Sequence, residues 1–138
     1  MYKINGEVIK DVECYLEFAN AWSRLPNGYK IEKYSPSIWV KGINKKNEEP
    51  QVMIETFISY EELKNLKLNK EVDLCTYITD VLFFPRDKNV EFLKDYPDSN
   101  KVTVNRINEN LFNFKAKIKK INLEYDVEIT IPPEEGKA

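Results

Sequence analysis

The chain has no histidine. That absence removes the commonest general base, the commonest neutral metal ligand and the usual partner of a nucleophilic serine or cysteine. Cysteine is scarce too: Cys14 and Cys75 are too few and too far apart for a secreted disulfide framework. The four glycines, Gly6, Gly28, Gly42 and Gly136, stand isolated, so no glycine-rich loop can cradle a phosphate. No stretch approaches about 18 uncharged apolar residues, and Met-Tyr-Lys-Ile-Asn-Gly at the N-terminus has no apolar run of signal-peptide length. An excess of one charge is missing as well. The 21 basic and 23 acidic residues nearly cancel and are mixed through both halves, giving little steering towards DNA or anionic lipid. Together these absences predict a cytoplasmic protein with reduced thiols, no membrane segment, no cofactor and no metal.

What the chain does have is alternation. Phe112, Phe114, Ala116 and Ile118 sit on even numbers, and Ile121, Leu123, Tyr125, Val127, Ile129 and Ile131 on odd ones, with polar residues between them. Period 2 on this scale means two strands, each with one dry face, and the parity switch marks where they meet. A reversal at Lys119-Lys120 would set Phe114 against Tyr125, Phe112 against Val127 and Lys115 against Glu124. Lys-Lys suits the positive φ of a type I′ turn poorly, however, so a four-residue loop or a bulge explains the same switch.

Earlier in the chain, Asn5-Gly6 predicts a type I′ hairpin between Tyr2–Ile4 and Glu7–Ile9. Asp11 to Arg24 reads two ways. Val12, Cys14, Leu16 and Phe18 alternate like a strand, whereas Glu13, Glu17, Asn20 and Arg24 form a polar stripe on a helix that Asp11 could cap. The helix is taken here. Leu25-Pro26-Asn27-Gly28 supplies a turn, and strands follow at 29–34, 37–43, 52–59 and 72–78, with Pro36 at an edge, bulge or bend. Ser59-Tyr60-Glu61-Glu62 matches a capping box opening a short helix to Leu66. Val81–Phe84 is an apolar strand segment ended by Pro85; Val90–Lys94 suggests one helical turn inside an irregular connection, 86–101, of a length that is usually functional or mobile. At 138 residues with 42% hydrophobic side chains, one domain over 1–131 with a frayed tail at 132–138 is expected. The fold class is α+β and predominantly β: an antiparallel sheet of about six to eight strands with a C-terminal hairpin, one N-terminal amphipathic helix and a short second helix. If 11–24 is a strand, the result is an all-β sandwich or barrel.

Catalytic machinery is thin. Cys75 lies beside Asp73, and a neighbouring carboxylate raises a thiol pKa rather than activating it. Paired acids for glycosyl transfer exist by chance in any chain with 23 carboxylates, and Glu124, Asp126 and Glu128 already have lysines to face. Asp95, Asp98 and Asn100 are close enough for a hard cation but lack an EF-hand pattern, so a plain turn is the simpler reading. Aromatic and basic residues interleave at Tyr29-Lys30, Lys33-Tyr34 and Trp39-Val40-Lys41, the combination that stacks bases and neutralises phosphates, although such aromatics also fill sheet cores. Trp22, Trp39, Phe57, Phe83 and Phe84 could instead line an apolar ligand pocket in the cup of a sheet. The leading expectation is a non-catalytic interaction protein, an adaptor, inhibitor or accessory factor, binding another protein through Tyr29, Tyr34 and Trp39 near the Pro36 bend and through Arg86 and Tyr96. A carrier or carboxylate enzyme and a single-strand nucleic-acid binder are the alternatives.

Overall fold

A computed structural model describes residues 1–26, 28–86, 89–92 and 100–131, with the backbone alone for 20–25, 28–33, 89 and 92. Among the described residues, eleven strands and one α-helix follow in order: β1 Tyr2–Ile4, β2 Glu7–Val8, β3 Lys10–Leu25, β4 Gly28–Ile43, β5 Gln51–Thr56, α1 Tyr60–Lys64, β6 Glu71–Asp73, β7 Ile78–Arg86, β8 Asn89–Phe92, β9 Asn100–Arg106, β10 Leu111–Ile118 and β11 Leu123–Thr130. They form two antiparallel sheets. The first, of six strands, runs β2-β1-β11-β10-β9-β6, and the second, of five, runs β3-β4-β5-β7-β8. Both turn one face onto a single apolar core: Val102, Val104, Phe112, Phe114, Tyr125 and Val127 from the first meet Ile38, Val40, Val52, Ile54, Val81 and Phe83 from the second. The architecture is therefore a mostly β, two-layered sandwich, and it does not close into a barrel.

The expected N-terminal helix is absent: 10–25 is a strand. Val12, Cys14, Leu16 and Phe18 turn half-buried towards the core while Glu13, Tyr15, Glu17 and Ala19 are exposed, so the alternation won over the stripe. Asp11 caps nothing; it takes φ 52° where the β3–β4 register shifts between Lys10 and Glu13, the geometry of a bulge. Four further expectations are corrected. Segments 29–34 and 37–43 are one strand, β4, in which Pro36 lies one residue past the end of the β5 ladder at Ser37 and so meets no acceptor it would have to satisfy there. Thr56 Oγ1 donates to the Pro36 carbonyl at 2.6 Å. Strand 72–78 breaks after Asp73 into a 3₁₀ turn at Cys75–Tyr77. β7 continues through Pro85, which falls in the register shift between Phe83 and Arg86. Asn89–Phe92 is strand rather than the start of a helical turn.

The hairpins follow their turn chemistry. Asn5 and Gly6 have φ 51° and 80°, as a type I′ turn requires, and β1 and β2 pair through Ile4 and Glu7. β10 and β11 pair through Ile118–Leu123, Ala116–Tyr125, Phe114–Val127 and Phe112–Ile129. That register lies two residues from the one a Lys119-Lys120 reversal would give. The chain uses four residues instead, a 3₁₀ turn at Lys119–Ile121 and then Asn122 at φ 46°, a conformation asparagine tolerates and lysine does not. On the outer face Lys115 therefore opposes Asp126 and Lys117 opposes Glu124. The capping box forms as expected: the Glu62 N–H donates to Ser59 Oγ at 3.0 Å and the Ser59 N–H to Glu62 Oε1 at 3.1 Å, opening a helix that ends at Lys64 and buries Leu63.

Candidate interaction face and end cleft

In β5, Val52 and Ile54 enter the shared core, so Met53 between them must point the other way. It is nevertheless only 7% exposed and stands outside the core cluster, which means the outer face of the five-stranded sheet has apolar cover of its own. The registers name it. Tyr15 pairs with Trp39, Trp39 with Met53, and Met53 with Leu82, so one row crosses four consecutive strands on that face. The Tyr15 and Trp39 rings lie near-parallel with centroids 6.1 Å apart, and Phe84 stacks on the other side of Trp39 at 6.0 Å. Such pairs contribute about 0.5–1.5 kcal/mol each beyond their buried area. Tyr15 remains 45% exposed at the open end of the row. The Trp39 indole N–H is enclosed and meets no acceptor among the described residues, an arrangement that costs about 1–3 kcal/mol.

The rows on either side differ in charge. On one side Glu17, Ser37, Glu55 and Asp80 face each other across β3, β4, β5 and β7, with the Thr79 hydroxyl donating to Glu55 Oε1 at 2.6 Å. Among the described residues, that row carries three carboxylates and no cation. On the other, Glu13, Lys41 and Gln51 lead to Phe84, and Lys41 Nζ is 3.2 Å from Glu13 Oε2. The face is an apolar stripe with one acidic border.

A cleft lies at one end of the sandwich, between the β1–β2 hairpin, the 44–50 loop and the end of β7. Its volume is about 380 Å³, its floor includes Ile9 and Phe83, and its rim carries Glu7, Lys46, Glu48 and Arg86. Asn44 holds the loop: its Oδ1 accepts the N–H groups of Lys46 at 3.0 Å and Glu48 at 2.9 Å.

The residues singled out from sequence are thus distributed. Trp39 belongs to the outer row and Arg86 to the end cleft. Tyr34 stacks on Phe18 at 5.3 Å and packs against the core, the opposite face from Trp39. Tyr29 lies in β4 with only its backbone described, and Tyr96, Asp95, Asp98 and the tail from 132 lie outside the described residues. The aromatics considered for a cup do not share one cavity: Phe83 is core, whereas Trp39 and Phe84 are on the outer face. Tyr15, Met53 and Leu82 had not been singled out, yet a signal existed. Cys14-Tyr15-Leu16, Ile38-Trp39-Val40, Val52-Met53-Ile54 and Val81-Leu82-Phe83 are uninterrupted apolar runs, and a run that breaks alternation marks a strand apolar on both faces.

Neither thiol is activated. Burial raises the pKa of Cys75, the nearby Asp73 raises it further, and its Sγ donates to the Asn100 carbonyl at 3.3 Å. Burial likewise raises the pKa of Cys14, whose Sγ reaches the Glu128 carbonyl at 3.6 Å. Among the described residues no cluster of three or more Cys, Asp or Glu side chains could hold a metal ion, and no helix is long and apolar enough to cross a membrane. Comparison with protein-family models, with curated proteins and with solved structures finds no match for this chain.

Proposed function

We propose that this chain is a non-catalytic cytoplasmic interaction protein whose binding surface is the outer face of the five-stranded sheet. The observation that carries the reading is the row Tyr15–Trp39–Met53–Leu82, apolar across four strands on the face turned away from the core. Sheets with one solvated face normally carry polar residues there, and an apolar row flanked by charge is the composition of a recognition surface. Glu17, Glu55 and Asp80 along one margin favour a partner segment with an aliphatic or aromatic anchor edged by lysine or arginine. The same margin repels a phosphate backbone, which weighs against single-stranded nucleic acid on this face.

Selection of a random peptide library against the whole protein tests the proposal. Enriched sequences should combine an apolar anchor with flanking basic residues, and their affinity should fall roughly tenfold or more in Tyr15→Ser and in the Glu17→Lys, Glu55→Lys double variant. Enrichment of acidic peptides, no enrichment, or affinity indifferent to these variants would overturn it.

A further inference from the structure

The end cleft carries an inference independent of the outer face. Its charge is balanced: two carboxylates, Glu7 and Glu48, and two cations, Lys46 and Arg86, stand around an apolar floor of Ile9 and Phe83. Each carboxylate is fixed through one oxygen; the second oxygen of Glu48 faces Arg86. Glu7 Oε2 accepts the Lys45 N–H at 2.7 Å, and Glu48 Oε1 accepts the Asn44 side-chain amide at 3.1 Å. The Glu48 Oε2 is 3.9 Å from Arg86 Nη1, too long for a hydrogen bond, so the guanidinium keeps donors to give. Lys46 is exposed at the rim. The walls are held by other bonds, the type I′ turn on one side and the Asn44-bonded loop on the other.

A monoanion entering the cleft would meet two carboxylates, and a monocation two basic groups; a molecule with both charges meets complements to each. We propose that this cleft binds a small zwitterion with an apolar body, a free α-amino acid with an aliphatic or aromatic side chain, its carboxylate towards Arg86 and Lys46, its ammonium towards Glu7 and Glu48, and its side chain on Phe83 and Ile9. The cleft volume lies within the range of small-molecule sites.

The test titrates the whole protein with L-phenylalanine and L-leucine while following backbone amide NMR signals, and repeats it with 3-phenylpropionate, which lacks the ammonium, and phenethylamine, which lacks the carboxylate. Saturable shifts of the Glu7, Lys46, Glu48 and Arg86 amides are expected with at least one amino acid, with each half-charged analogue roughly tenfold weaker. Arg86→Gln and Lys46→Gln should each weaken the amino acid towards the level of phenethylamine, and neither should weaken phenethylamine itself. Signals away from the cleft report that both variants keep the fold. No saturable shift with either amino acid, equal binding of the analogues, or indifference to Arg86→Gln would overturn the proposal. Tyr15→Ser should leave this binding intact, so failure here and failure at the outer face are read separately.

Discussion

At the scale of single residues, two positions show how local chemistry fixes backbone. Gly42 sits where a Cβ would stand 2.6 Å from Ile9 Cγ2 and 2.7 Å from the Lys10 carbonyl, so β4 can pass this close to the start of β3 only without a side chain. Asp73 ends β6 by accepting the Cys75 N–H at 2.8 Å, and that hydrogen bond holds its carboxyl below the usual carboxylate range. The sign follows. A folded pKa below the unfolded one adds stability that is present above the unfolded value near about pH 4 and is lost as pH falls through the folded value. Asp73 is largely exposed, so the contribution is only a few tenths of a kcal/mol. Asp73→Asn should lower Tm by about 1–2 °C at neutral pH, with the gap to the parent closing as the pH approaches about 2 in calorimetric scans. A gap that widens on acidification would contradict the assignment.

At the scale of elements, the helix α1 depends on its first turn. Five residues are far too few to be helical alone, so Ser59 and Glu62 fix the entry while Tyr60 and Leu63 anchor it in the core. Ser59→Ala should cost about 1 kcal/mol and lower Tm by about 3–5 °C in thermal denaturation. A smaller effect than that of an exposed-lysine control would show that the cap is dispensable. This element was legible in the sequence because a capping box is local, and the Asn5-Gly6 hairpin was legible for the same reason. β3 was not. Glu13 and Glu17 are four apart, a spacing that is even and so keeps them on one face of a strand as well as on one face of a helix; that pair could not separate the two periods, and only the odd step to Asn20 favoured the helix. The core contacts of Cys14, Leu16 and Phe18 decided it. The β10–β11 register slipped by two for a related reason: parity constrains a hairpin only modulo two, and the loop length is set by which residue can hold positive φ, here Asn122. Of the outer face and the end cleft, Trp39 and Arg86 were visible beforehand as single residues. The row around Trp39 was not, because Tyr15, Met53 and Leu82 are joined only by strand pairings that the sequence does not order.

At the scale of the whole molecule, the second sheet is assembled largely from neighbours, whereas the first is not. β3, β4 and β5 follow each other in both chain and space, but β1 lies between β2 and β11, and the Met1 ammonium donates to the Asp126 carbonyl at 2.8 Å across 125 positions. Bringing such distant segments together costs loop entropy before any packing rewards it. Refolding after dilution from denaturant should therefore take milliseconds to seconds in stopped-flow fluorescence rather than microseconds. A microsecond phase accounting for the full signal would refute the idea that the β1–β11 pairing limits the rate. Synthesis on a ribosome sharpens the point. Tyr2 is completely buried in the folded protein, yet its strand partner Tyr125 lies far downstream in the chain and is made long after it. Until then the β1–β2 hairpin has no partner along its β11 edge, which makes that edge a natural landing place for a chaperone, and makes any chain stopped before β11 a product with an unfilled seam in the middle of its first sheet.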